Sequence, residues 1–167
     1  MVAITLRENP GKHDKRLEDF LIDEDAVNAL HDALAAFLVL TGVTVKKVLC
    51  VDPKSVAELK ARNIYIAGDS LGLGALLLLL RDVAGGRNGS RVVYAATGAL
   101  TVRSTTVLCR EVGKLGAKVQ SAANAGVDVM YCPAQDDVPP QGLLGMSIKP
   151  LSVITKDGIS DFWEKVA

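Results

Sequence analysis

A layered α/β domain is the fold class this 167-residue chain predicts. Runs rich in β-branched residues alternate with segments of helical periodicity, and no internal repeat or low-complexity stretch interrupts them. The length suits one domain over residues 1–167, large enough for a real hydrophobic core. Hydrophobic residues make up 49% of the chain and aromatics only 4%. The core is therefore expected to be Leu, Val, Ile and Ala, with little surface on which bases or sugars could stack.

The elements follow in order. Val2 to Leu6 alternates weakly and reads as a strand, and Glu8 to Lys15, with Pro10-Gly11, as a turn or loop. Residues 1–24 are accordingly a divergent or flexible N-terminal segment. Asp25 is placed as a helix N-cap, because Val27, Leu30, Leu34, Phe37 and Leu38 recur after it at helical spacing and Gly42 stops the pattern. Val43 to Val51 reads as a strand, Pro53 to Leu59 as a short helix, and Ile64-Tyr65-Ile66 as a short strand leading to Ser70. Leu71 to Val83 is apolar nearly all round and predicts a buried helix. A loop at Gly85 to Gly89 precedes strands at Arg91 to Ala95 and Leu100 to Leu108. A helix from Lys114 to Asn124 ends at Gly126, and Val127 to Tyr131 is the next strand. Ala134 to Gly145 is loop-like, Ser147 to Val153 a strand, and Ile159 to Val166 a closing helix.

Composition removes several function classes. Acidic and basic residues balance at 19 each, so nothing marks a nucleic-acid footprint or strong attraction to an anionic membrane. The longest apolar run, Leu71 to Leu80, is about half of what spans a bilayer. Met1 to Arg7 lacks the pattern of a signal peptide. Cys50, Cys109 and Cys132 are odd in number and widely spaced, with His13 and His31 far from them. Neither a disulfide framework nor a metal site is suggested, and buried free thiols point to a reducing, cytoplasmic setting. No G-x-x-x-x-G-K-[ST] run occurs, and Gly72-x-Gly74 has no third glycine, so no nucleotide cofactor is expected.

The chemistry gathers at Ala67-Gly68-Asp69-Ser70-Leu71-Gly72, between a strand and the buried helix. A serine there can simply cap the helix, or it can be a nucleophile whose oxyanion is held by unsatisfied backbone N–H groups. A nucleophilic serine needs a base. Lys118 is the candidate, since Leu115, Lys118 and Ala122 share one helical face and burial disfavours an ammonium ion. The alternative is a snorkelling lysine with a solvated head, the reading given to Lys114. Asp69 is either an ordinary turn carboxylate or a partner that keeps Lys118 protonated.

Three blocks in this order resemble the proteolytic domain of Lon-type proteases. They are Gly68-Asp69-Ser70 before an apolar helix, Thr97-Gly98-Ala99-Leu100-Thr101-Val102-Arg103, and Val112-Gly113-Lys114-Leu115-Gly116-Ala117-Lys118 followed by Ala122 to Val127 and Val129-Met130-Tyr131-Cys132-Pro133. The Gly-Asp-Ser form looks most like the archaeal-type branch. The resemblance covers roughly residues 63–135 and selects Lys118 over Lys114. It implies a mixed sheet packed with helices and a Ser-Lys dyad of Ser70 and Lys118, supported by Gly68, Asp69 and Thr97, with the Thr97 hydroxyl on the lysine amine. It also implies a peptide or unfolded-polypeptide substrate and a ring of copies, usually six. Leu71, Ala99 and Lys114 stand where the family usually has a small residue, an acid and a glycine. Lon-type proteases carry a fused ATPase, so this chain works on unfolded peptides, borrows a separate unfoldase, or is part of a longer protein. Two other readings stay open: a non-catalytic Lon-like assembly or accessory domain, and a small-molecule enzyme binding an anion at the Ser70 helix.

Overall fold

A computed structural model of the chain describes residues 3–8, 10–11, 14–21, 23–61, 66, 68–83, 92–135 and 145–158. The expected strand residues Ile64 and Tyr65, the loop Gly85 to Gly89, most of Ala134 to Gly145 and the helix Ile159 to Val166 lie outside them.

Strand β1 (Ile4–Arg7) leads into a turn where the Gly11 N–H donates to Asp14 Oδ2 at 2.9 Å, and β2 (Lys15–Arg16) follows. Helix α1 (Glu24–Thr41) is capped at Asp23 and not at Asp25: Asp23 has extended backbone, and its carboxylate accepts the Ala26 N–H at 2.8 Å. At the far end Gly42 adopts the left-handed conformation and returns its N–H to the Leu38 carbonyl at 2.8 Å. The buried stripe of α1 is Ala29, Leu30, Ala33, Ala36, Phe37 and Leu40, while Val27 and Leu38 face solvent. Only the stretch Val48–Val51 of the expected strand at Val43 to Val51 is paired, as β3, and it lies between β1 and β2 in an antiparallel sheet. Helix α2 (Pro53–Ala61) opens on proline, as the missing N–H permits.

A short 3-10 turn, Asp69–Leu71, runs directly into α3 (Gly72–Val83). Leu73, Leu76 and Leu80 of α3 are buried against α1, each worth about 2–3 kcal/mol in apolar area removed from water. Strand β4 (Tyr94–Ala96) pairs in parallel with β7 (Val129–Pro133), which pairs in parallel with β8 (Ser147–Leu151). Between β4 and β7 the chain inserts a hairpin, β5 (Ala99–Val102) and β6 (Thr106–Arg110), and then α4 (Leu115–Asn124).

The sheets depart from the sequence reading in three ways. The expected single strand at Leu100 to Leu108 is this hairpin, because Arg103 and Thr106 exchange backbone hydrogen bonds at 2.8 and 3.3 Å around Ser104-Thr105. The expected single strand at Ser147 to Val153 is split at Ser152. Its first part joins the parallel sheet as β8 and its second, β9 (Val153–Thr155), pairs antiparallel with β6. The described strands thus form three separate three-stranded sheets, two antiparallel and one parallel, in place of one mixed sheet. The coarse class, a mixture of helices and strands, is as expected.

Two hydrophobic cores result. The larger joins α1, α3, β3 and the β5–β6 hairpin, and the smaller packs α4 on β7 and on Met146. Cys50 and Cys132 are buried, as read from the sequence, and Cys109 is half-buried. Among the described residues no helix is long and apolar enough to cross a membrane.

Candidate active site

The Ser70 segment is built by a glycine, a distant acid and a strand end. Gly68 turns the chain at φ 76°, where side chains are disfavoured; a Cβ would meet nothing within 4 Å, so the demand is on the backbone and not on space. The Gly68 N–H is held by both oxygens of Asp23, at 3.1 and 3.0 Å. The carboxylate that caps α1 thereby also pins the approach to Ser70. On the other side, the Ser70 carbonyl accepts the Gly98 N–H at 2.8 Å and the Thr97 hydroxyl at 3.4 Å, and the Leu73 N–H donates back to the Gly98 carbonyl at 2.9 Å. The Thr97 N–H extends the β4–β7 pairing to the Tyr131 carbonyl at 3.0 Å. The Thr97-Gly98 block therefore grips the backbone of Ser70. Thr97 is buried and donates to Ser70; no bond from it to the Lys118 amine occurs among the described residues.

Ser70 and Lys118 face one cleft of about 540 Å³, a volume within the usual range for small-ligand pockets. The cleft lies along the seam of the two cores. The 3-10 turn and α3 supply Ser70, Leu71 and Gly74, the β4 side supplies Ala95, Ala96 and Thr97, and α4 supplies Lys114, Ala117, Lys118, Ser121 and Ala122. Ile4, Ile66 and Met130 complete an otherwise apolar lining. Leu71 is among the lining residues, and its partly buried side chain also packs against the larger core.

Helix α4 aims the lysine. Leu115, Val119 and Ala122 are buried in the smaller core, and Lys118 sits on the same side at the edge of that stripe, half-buried. Burial lowers the Lys118 pKa below the ordinary lysine value, while the nearby Asp69 carboxylate pulls it the other way. The net direction is the one a lysine base needs. Among the described residues no direct hydrogen bond joins the Ser70 and Lys118 side chains. Lys114, just before α4, has φ 57° and is the one non-glycine among the described residues with positive φ. It adopts the left-handed conformation that glycine favours.

Asp69 is not bonded to Lys118. Its carboxylate lies 3.5 Å from the guanidinium of Arg110, with the two side chains 45% and 51% exposed. Asp23 and Arg110 were both missed by the sequence reading. Each reaches the site across a long sequence gap, and neither lies in a motif. The cysteines offer no rival nucleophile in the cleft: burial pushes the Cys109 thiol up to about 12 and raises that of Cys50, and neither lines the cavity.

No protein-family model matches the chain, and no curated protein matches it at a significant level.

Proposed function

We propose that the chain is a Lon-like serine peptidase. The observation that carries this is the meeting of Ser70 and Lys118, from two separate sequence blocks, in one cleft where burial lowers the lysine's pKa. In this scheme Ser70 Oγ attacks a peptide carbonyl and passes its proton to neutral Lys118. The Lys118 ammonium then protonates the leaving amine, and water releases the acyl group from Ser70 with the lysine again as base. Backbone N–H groups at the 3-10 turn stabilise the tetrahedral oxyanion. Substrates are unfolded polypeptides, delivered freely or by a separate unfoldase, in the cytoplasm.

Casein hydrolysis tests the dyad. Ser70→Ala and Lys118→Ala should each lose roughly three orders of magnitude or more in rate, and the double variant should be little worse, because the two groups act as one unit. The wild-type rate should climb with pH, since only deprotonated Lys118 is a base, and it should do so below the ordinary lysine value of 10.5. Full activity in either single variant would contradict the scheme.

A second reading, a non-catalytic Lon-like assembly or accessory domain, is favoured by two observations: the bulky Leu71 lines the cleft beside Ser70, and Ser70 and Lys118 are not directly bonded. An inert wild-type protein that assembles normally would support it.

A further inference from the structure

Arg110 has no part in the hydrolytic scheme, yet it is tied to a residue next to the proposed nucleophile. It ends β6 in register with Ala99 on β5. Its Nε donates to the Leu100 carbonyl at 3.4 Å, and its Nη2 lies 3.5 Å from Asp69 Oδ2. Asp69 immediately precedes Ser70, and its charge also acts on the Lys118 ammonium, favouring the protonated lysine. One carboxylate is thus shared between two cations, of which only Arg110 is always charged.

We propose that Arg110 is a positioning residue for the Ser70–Lys118 pair: by holding and neutralising the Asp69 carboxylate, it keeps that carboxylate from locking Lys118 as an ammonium ion. The proposal rests on the reading of Ser70 and Lys118 as a hydrolytic pair. Among the described residues the other charged group facing the cleft is Lys114, just before α4, and its positive charge works in the same direction as Arg110. The cleft walls from β1, α3, β4 and β7 contribute no charged side chain. Without Arg110, the full Asp69 charge would fall on Lys118. The lysine would hold its proton to higher pH, and less of it would be free to act as a base at neutral pH.

The test follows Lys118 directly, by NMR titration of lysine side chains labelled with ¹³C and ¹⁵N, its signal assigned with Lys118→Arg. The same proteins are assayed for peptide hydrolysis across pH. In Arg110→Gln the Lys118 midpoint should move to higher pH. The rate at pH 7 should fall roughly two- to five-fold, the size expected of a half-exposed charge pair, and recover at alkaline pH. Arg110→Lys should restore most of the wild-type titration. In an Asp69→Asn background, Arg110→Gln should change little more. A midpoint unmoved by Arg110→Gln, or moved as far when Asp69 is already Asn, would overturn the proposal. Because the titration needs no substrate, a protein that hydrolyses nothing but shows the shift loses the peptidase reading alone. An active peptidase whose Lys118 ignores Arg110 refutes the coupling alone.

Discussion

Asp23 ties the start of α1 to the loop that delivers Ser70. Its carboxylate accepts from the Ala26 N–H, as a helix cap does, and from the Gly68 N–H across a gap of 45 residues. Removing it should cost the cap, about 1 kcal/mol, and a charge-assisted hydrogen bond of similar or larger worth. Asp23→Ala should therefore destabilise by about 2 kcal/mol and lower the melting temperature by roughly 4–8 °C. Exposed Asp25 lies in the first turn of α1 and holds no such partner, so Asp25→Ala should cost less than about 1 kcal/mol. Thermal unfolding of the two variants side by side checks this, and equal losses would contradict it. The sequence could not choose between the two acids, because Asp23-Glu24-Asp25 offers cap chemistry twice and the deciding bond comes from Gly68. Ser70 and Lys118 could be picked out as candidates because their chemistry is local to motif and helix face, and both line the same cleft. Arg110 was not, because an ion pair between a strand end and a turn leaves no spacing pattern.

At the scale of elements, the site depends on how closely α3 approaches the β4–β5 link. A Cβ on Gly98 would stand 3.0 Å from Leu73 Cδ2 and 3.1 Å from Leu73 Cβ, with Pro133 Cγ at 3.4 Å. Leu73 is fully buried and cannot step aside without moving α3, which follows directly on the 3-10 turn that carries Ser70. Gly98→Ala should therefore cost roughly 1–3 kcal/mol, read as a lower urea midpoint with unchanged slope, and should reduce hydrolysis beyond the loss of folded protein. Stability like the wild type's would show that the helix has room. Among the described residues the helices were read well, since α1 carries a long apolar periodicity that Gly42 stops and α3 a nearly continuous apolar run. The strands were read less well. Ser104-Thr105 lacks the Asn or Gly that usually announces a hairpin, so β5 and β6 looked continuous. The break at Ser152 reflects a change of partner, from β7 to β6, that only the assembled sheets reveal.

For the whole molecule, the cleft runs where two cores meet, so its opposite walls belong to separately packed units: Ser70 rides on the α1–α3 core and Lys118 on the α4–β7 core. Any relative shift of those cores would change the gap between hydroxyl and amine without altering either fold. Assembly is one way to set that gap. The net charge of zero offers little repulsion between copies, and the resemblance implies a closed ring of six. Sedimentation over a wide concentration range should show a mass rising towards the hexamer with increasing concentration; a strict monomer throughout would remove the ring. The most direct measurement for the Ser-Lys pair is the rate at which a fluorophosphonate probe labels the protein as a function of pH, with the modified residue mapped. Labelling should fall on Ser70, quicken as pH rises through the Lys118 titration, and vanish in Ser70→Ala and Lys118→Met. Labelling on another residue, or an undiminished rate on Ser70 in Lys118→Met, would contradict the dyad.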